Sequence, residues 1–162
     1  RYGMVVTATC GPANDAFVRA CGAATTLDYR SPTFAADLAA AGPYHLIFDL
    51  IGGDAAAASR GLVAEGGAFA EVFNTGTTEA GSAANKAAAE ASGGTYVGPT
   101  LVHAGDGAAL KAIAADIDSG KLSVDVAAVL PLAQAAEAHA RLETLHVRGK
   151  IVLQVGDEGG LP

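Results

Sequence analysis

The chain has 162 residues, 51% of them hydrophobic and 17% charged, with a formal net charge of -7. That composition lies far from the low-hydrophobicity, high-charge regime of disorder and fits one domain with a proper core. Lys and Arg are scattered without a basic stripe, which argues against nucleic acid, and no apolar run reaches the roughly 18–20 residues that cross a bilayer. No signal pattern opens the chain. Cys10 and Cys21 match no zinc spacing and cannot build a disulfide framework, so they read as reduced structural thiols of a cytoplasmic protein. The abundance of Ala, with Arg used as readily as Lys, is the composition of a GC-rich bacterial genome.

The first predicted strand lies in RYGMVVTATCGPANDAF, where Val5 and Val6 open a β-branched run and Gly11-Pro12 breaks it. A mostly apolar strand needs neighbours on both sides and cover on both faces, so a chain that opens inside one reads as cut from a larger fold. NDAFVRACGA follows as a helix, with Phe17, Val18 and Cys21 on one face, Pro12 near the first turn and Gly22 as the stop. TTLDY is a short strand. SPTFAADLAAAG is a second helix, with Ser31 as N-cap, Pro32 at the first helical position, and Phe34 and Leu38 four apart.

YHLIFDLIGG is the strongest strand signal. DAAAASRGLVAEGG reads as a helix with a Gly-rich stop, and AFAEVF as the next strand. Residues 74–94 break the rhythm: polar and rich in Gly, Thr and Ser, they predict a loop with one short Ala-rich helix. TYVGPTLVHA returns as strand. DGAALKAIAADIDSG is a helix capped by Asp106, striped by Leu110, Ile113, Ala114 and Ile117, and ended by Gly120. The strand LSVDVAAVLPL, the helix AQAAEAHARLETL and the strand GKIVLQV close the domain over residues 1–155, leaving 156–162 as a flexible tail. Strands and helices alternating at about twenty-residue spacing mean βαβ units and a mostly parallel sheet with helices on both faces, an α/β fold.

Such folds bind ligands at the carboxyl ends of their strands, often through a G-x-G-x-x-G turn. The nearest match, GDGAAL at Gly105–Leu110, lacks the third glycine, and Asp106 occupies the anion position, so it reads as an ordinary N-cap. Gly52-Gly53 closes a strand, where a ligand can approach the backbone; the alternative is a tight turn into the next helix. His45, His103, His139 and His146 have no carboxylate or thiol at ligand spacing, so no metal site is predicted. No G-x-S-x-G elbow is present. Asp49, inside an apolar strand, is either a buried functional carboxylate or an acceptor for backbone N–H groups at the strand end.

The segments VVTATC, FVRACGAATTLDYR, YHLIFDLIGG, GLVAEGGAFAEV, AIAADIDSGKLSVDVAAVLPLAQAAEAHARLE and HVRGKIVLQV together resemble the medium-chain dehydrogenase/reductase superfamily. The branch they are most similar to is the zinc-independent NADPH:quinone oxidoreductases and enoyl reductases, over residues 4–155. The resemblance implies the C-terminal, cofactor-binding part of such an enzyme: a Rossmann-like domain lacking the first strand and the Gly-rich turn. In the order 3-2-1-4-5-6 the missing strand is central, which leaves a gap between the first and third strands present here.

The resemblance also implies cofactor residues. Thr9 falls where the adenosine ribose is read, with no acid to bind a 2′-hydroxyl, so NADPH fits better than NADH. Tyr29 matches the tyrosine near the 2′-phosphate, while the basic residue of the intervening helix is here Asn14. Gly52 and Phe73-Asn74 match strand ends beside the nicotinamide half, and Arg148 and Lys150 match the closing RGK. The implied reaction is hydride transfer from NADPH to a small-molecule quinone or conjugated enone.

The alternative is a non-redox cyclase, isomerase, dehydratase or binding partner. It would use the crevice rimmed by Gly52, Gly53, Phe73 and Asn74, with Thr75–Ser82 as lid and Asp49 or Glu71 as acid or base. No catalytic residue is assigned on the redox reading. The long apolar strands TYVGPTLVHA and LSVDVAAVL predict a homodimer through late-strand edges.

Overall fold

A computed structural model describes residues 3–72, 78–100, 107–144 and 147–156, which divide into two compact units, Arg1–Val102 and His103–Pro162. The first unit runs β1 (Thr7–Thr9), α1 (Asp15–Ala20), β2 (Thr25–Leu27), α2 (Phe34–Ala41), β3 (Tyr44–Asp49), α3 (Gly53–Ser59), β4 (Val63–Val72), α4 (Glu79–Ala91) and β5 (Thr95–Thr100). The second holds α5 (Gly107–Asp118), β6 (Val126–Pro131), α6 (Ala135–Glu143) and β7 (Lys150–Gln154).

Every strand pair is parallel, and a helix lies between the partners of each pair, as βαβ alternation requires. The strands form three sheets, β1-β2, β3-β4-β5 and β6-β7. Within the first unit, β1-β2 and β3-β4-β5 share no ladder. A break between two ladders is what a missing central strand implies. Leu46 and Phe48, on the β3 face opposite the partly buried Ile47 and the buried Asp49, are 46% and 60% exposed.

The core of the first unit sits on the other face. Phe69, fully buried on β4, packs with Ala56 of α3, Val63 and Ala89 of α4, and Ile47 and Tyr96 close around it. Small residues on α3 and α4 let both helices lie close to the sheet. At the other end of the unit, Asp15 at the start of α1 accepts hydrogen bonds from the Thr26 hydroxyl on β2 and, at 3.1 Å, from Arg19 Nε. The Thr26 bond above all, then Arg19, holds the Asp15 carboxyl below its ordinary value.

Four predicted details differ from the structure. Helix α2 starts two residues late: Thr33 is its N-cap, and Ser31 Oγ accepts instead from the Thr33 N–H at 3.2 Å, forming a turn. Val63 through Gly67, predicted as the end of a helix and its Gly-rich stop, already belong to β4. Helix α4 spans 13 residues, with Thr78 Oγ1 accepting from the Gly81 N–H as its cap. The lid predicted over Thr75–Ser82 is therefore, from Thr78 onward, the cap and first turn of a helix. On α5 the Leu110, Ile113 and Ile117 stripe is exposed. Phe73, Asn74, His103, the Asp106 cap, His146 and residues 157–162 of the predicted tail lie outside the described residues.

Candidate site at the carboxyl rim of the first unit

The carboxyl end of β3 is built around Asp49. Its side chain, on the buried face, accepts from the Ile51 N–H at 3.0 Å and from the Gly52 N–H at 2.9 and 3.1 Å through its two oxygens. This is the backbone-binding alternative foreseen for Asp49. The clamp turns the chain into α3 through Gly52, whose φ of 76° is open to glycine and strained for other residues.

Beside that turn lies a hollow of about 480 Å³, lined by Tyr29 and Phe34 from the β2–α2 side and by Ile51, Gly52, Gly53, Asp54 and Ala55 from the β3–α3 side. It joins two residues singled out in the sequence, Tyr29 and Gly52. Thr9 ends β1 in register with Leu27 on β2 and is exposed, two residues before the turn at Gly11. The Arg30 guanidinium lies against that turn: a Cβ on Gly11 would come 2.9 Å from Arg30 Nη2. Arg30 therefore belongs to this rim, although the sequence reading passed over it in favour of its neighbour. The signal that finds it is the glycine at position 11.

A second, smaller cavity of about 220 Å³ lies under the rim among Gly52, Gly53, Ala56, Arg60, Glu71, Thr78, Gly81 and Asn85. Glu71, 2% exposed, points into the helical layer. Its carboxylate accepts from Ser82 Oγ at 3.0 Å, Asn85 Nδ2 at 3.1 Å and Tyr96 Oη at 2.9 Å, and Arg60 Nε donates to Asn85 Oδ1 at 3.0 Å. Burial, and secondarily the Glu71 carboxylate, push the Tyr96 phenol above its ordinary value, against a lowering pull from Ser82.

Arg148 stands in the second unit, where its Nε donates to Asp125 Oδ2 at 3.2 Å. Lys150 begins β7 there, its backbone N–H donating to Asp125 O at 2.8 Å. Among the described residues no three His, Cys, Asp or Glu side chains lie close enough to hold a metal ion, and no helix is long and apolar enough to cross a membrane.

Parallel strands joined by crossover helices, with a glycine turn clamped at the carboxyl rim, define the Rossmann-like α/β class. Within that class, the family model for zinc-binding dehydrogenases matches residues 21–153, and the chain belongs to that family. The described residues bring together no ligand set for the metal in the family's name.

A probable zinc-binding oxidoreductase, mitochondrial, of Arthroderma benhamiae is 29% identical over 152 residues, covering 93% of this chain and 44% of the relative. An NAD-dependent alcohol dehydrogenase superposes with a TM-score of 0.78 at 28% identity, covering 96% of this chain and 45% of that one. The quinone oxidoreductase from Coxiella burnetii gives 0.77 at 28% identity, covering 95% and 46%. The chain thus spans about half the length of the relatives it matches.

Proposed function

We propose that this chain is the nucleotide-binding part of an NADPH-dependent oxidoreductase that reduces a quinone or conjugated enone. The observation that carries the reading is the hollow between Tyr29, Phe34, Ile51 and Gly52, on the rim where open parallel sheets take nucleotides. Tyr29, Phe34 and Ile51 give it an aromatic and apolar side suited to a purine, with Asp54 also on its wall, and the neighbouring end of β1 carries Thr9 in place of an acid that would select a free ribose hydroxyl. When bound, the dinucleotide supplies the hydride; the residues of this chain bind and orient it. The relationship to a quinone oxidoreductase supports the substrate class. The cyclase, isomerase or dehydratase reading draws less support, because Asp49 and Glu71 already accept two and three donors respectively.

Saturation-transfer NMR of NADPH with the 162-residue chain tests the reading. The adenosine protons should receive the larger share of saturation, and titration calorimetry should give binding weaker than about 10 μM, because this sequence contains no Gly-rich phosphate turn. No transfer at millimolar NADPH overturns it. A homodimer through the late strands is part of the same reading, since long apolar strand edges recruit a second strand.

A further inference from the structure

The smaller cavity beneath the rim carries two charges that no described residue neutralises. Glu71, 2% exposed, is held by neutral donors alone: Ser82 Oγ on Oε1, and Asn85 Nδ2 and Tyr96 Oη on Oε2. Arg60, half-buried, spends Nε on Asn85 Oδ1. None of the ion pairs among the described residues includes either of them. Taking a carboxylate out of water with no cation beside it is costly, so a buried acid is ordinarily paired. Both side chains line the one cavity. We infer that this cavity binds a small α-amino acid as its zwitterion, the carboxylate on Arg60 and the ammonium on Glu71.

Asn85 sets the spacing of the two charges. Its amide stands between them, accepting from Arg60 Nε at 3.0 Å and donating to Glu71 Oε2 at 3.1 Å. The guanidinium and the carboxylate are thus one amide and two hydrogen bonds apart, and they do not pair directly. An α-amino acid with a hydrogen bond at each end has nearly the same span. Its carboxylate oxygen and ammonium nitrogen stand only slightly farther apart than the oxygen and nitrogen of an amide.

Each end also has capacity to spare. A carboxylate offers about four acceptor sites, and Oε1 of Glu71 uses one of its own on Ser82. The two terminal nitrogens of Arg60 have no hydrogen-bond partner among the described residues, and a planar fork left open there takes a carboxylate. The Thr78 hydroxyl, which accepts from the Gly81 N–H at 3.0 Å, keeps its own proton to donate.

Charge and size narrow the ligand. The cavity holds one cation and one anion, so a lone carboxylate would face Glu71 and a lone amine would face Arg60, whereas a zwitterion answers both. Its volume of about 220 Å³ is many times the roughly 10–15 Å³ that one water needs. Gly52, Gly53, Gly81 and Ala56 complete the wall without an aromatic or long apolar side chain, which suits a small amino acid and offers nothing to a large apolar one. The cavity shares only Gly52 and Gly53 with the hollow at Tyr29, and the inference does not depend on the nucleotide reading.

The test is a 1H–15N NMR titration of the 162-residue chain with glycine and L-alanine, beside acetate, methylammonium and acetamide. Glycine and L-alanine should shift the Gly52, Gly53 and Gly81 signals and the Asn85 side-chain amide saturably, with dissociation constants of about 1 mM or tighter. Acetate and methylammonium, which each carry one charge, and the neutral acetamide should bind about tenfold more weakly or less. Arg60→Gln, which keeps a donor for Asn85, and Glu71→Gln should each lose about tenfold in glycine affinity, with the spectrum away from the cavity reporting that the variant is folded. If Glu71→Gln does not fold, Arg60→Gln and the analogue series decide.

No saturable shift at about 50 mM glycine overturns the assignment. So does acetate that binds as tightly as glycine, which makes the cavity a plain anion site, or acetamide that does so, which makes it a site for a neutral amide. Glycine affinity unchanged in a folded Arg60→Gln overturns it as well.

Discussion

Glu71 gathers three hydrogen bonds from two elements into a carboxylate with almost no contact with water. Removing it would leave the buried Asn85 amide and the part-buried Ser82 and Tyr96 hydroxyls without this acceptor, and a buried donor without a partner costs about 1–3 kcal/mol. Glu71→Ala should therefore lower the unfolding free energy by about 3 kcal/mol in urea titration. Ser82→Ala, which leaves the Asn85 and Tyr96 bonds to Glu71 in place, should cost about 1 kcal/mol. Equal losses would mean that the cluster is not cooperative.

Asp49 and Glu71 show how far the residues could be read. Both lie on apolar strands at their carboxyl ends, and alternation along β3 and β4 does not say which face is covered by helices. The backbone role of Asp49 was among the alternatives because an acid two residues before a turn commonly accepts from it. The partners of Glu71 lie 11, 14 and 25 residues away and become visible only when α4 and β5 fold back. Arg30 was hidden for a similar reason: its neighbour is Gly11, across the β1-β2 pair.

Among the elements, the long apolar runs were legible and the glycine-rich ones were not. The strands predicted in TTLDY, YHLIFDLIGG and GKIVLQV stand in the structure as Thr25–Leu27, Tyr44–Asp49 and Lys150–Gln154. The start of β4 was misread because Gly66-Gly67 looks like a stop. Gly67 is instead a packing residue: a Cβ there would come 2.9 Å from the Ala64 carbonyl oxygen and 3.0 Å from that of His45, and one on Gly94 would strike the Gly67 carbonyl oxygen. The backbones of β3, β4 and the turn before β5 meet where a side chain would stand. Helix α4 was underestimated because Gly81, Ser82 and Asn85 weaken its pattern, though Ser82 and Asn85 are there to reach Glu71.

The consequence for β4 can be measured. Gly67→Ala should cost about 1–3 kcal/mol, the usual penalty of overpacking against backbone that cannot yield. Gly61→Ala, where a Cβ would meet nothing within 4 Å, should cost little or stabilise slightly. Thermal unfolding of the two variants beside the wild type separates the readings, and equal midpoints would show that β4 can shift to make room.

At the scale of the molecule, exposed apolar surface is the dominant feature. Val126 and Val129 on β6 and Val97 on β5 are each more than 45% exposed, and β6 and β7 form a sheet of only two strands. Two-stranded sheets are marginal by themselves, so edges of this kind take up further strands. Light scattering at tens of micromolar should give twice the mass of one chain, and Val129→Lys should return it to one. A wild-type chain that stays single at that concentration sinks the homodimer.

The break between β1-β2 and β3-β4-β5 also bears on how fast the chain can order itself. With the ladder interrupted there, every pairing among the described residues joins two strands adjacent in the sequence, across one intervening helix. None of these pairings has to wait for a distant segment, so each loop to be closed is short and its entropic cost modest. Parallel sheets usually fold slowly because their contacts are non-local. Here the contacts are as local as a parallel sheet allows, and each sheet can assemble, or come apart, without first engaging the others.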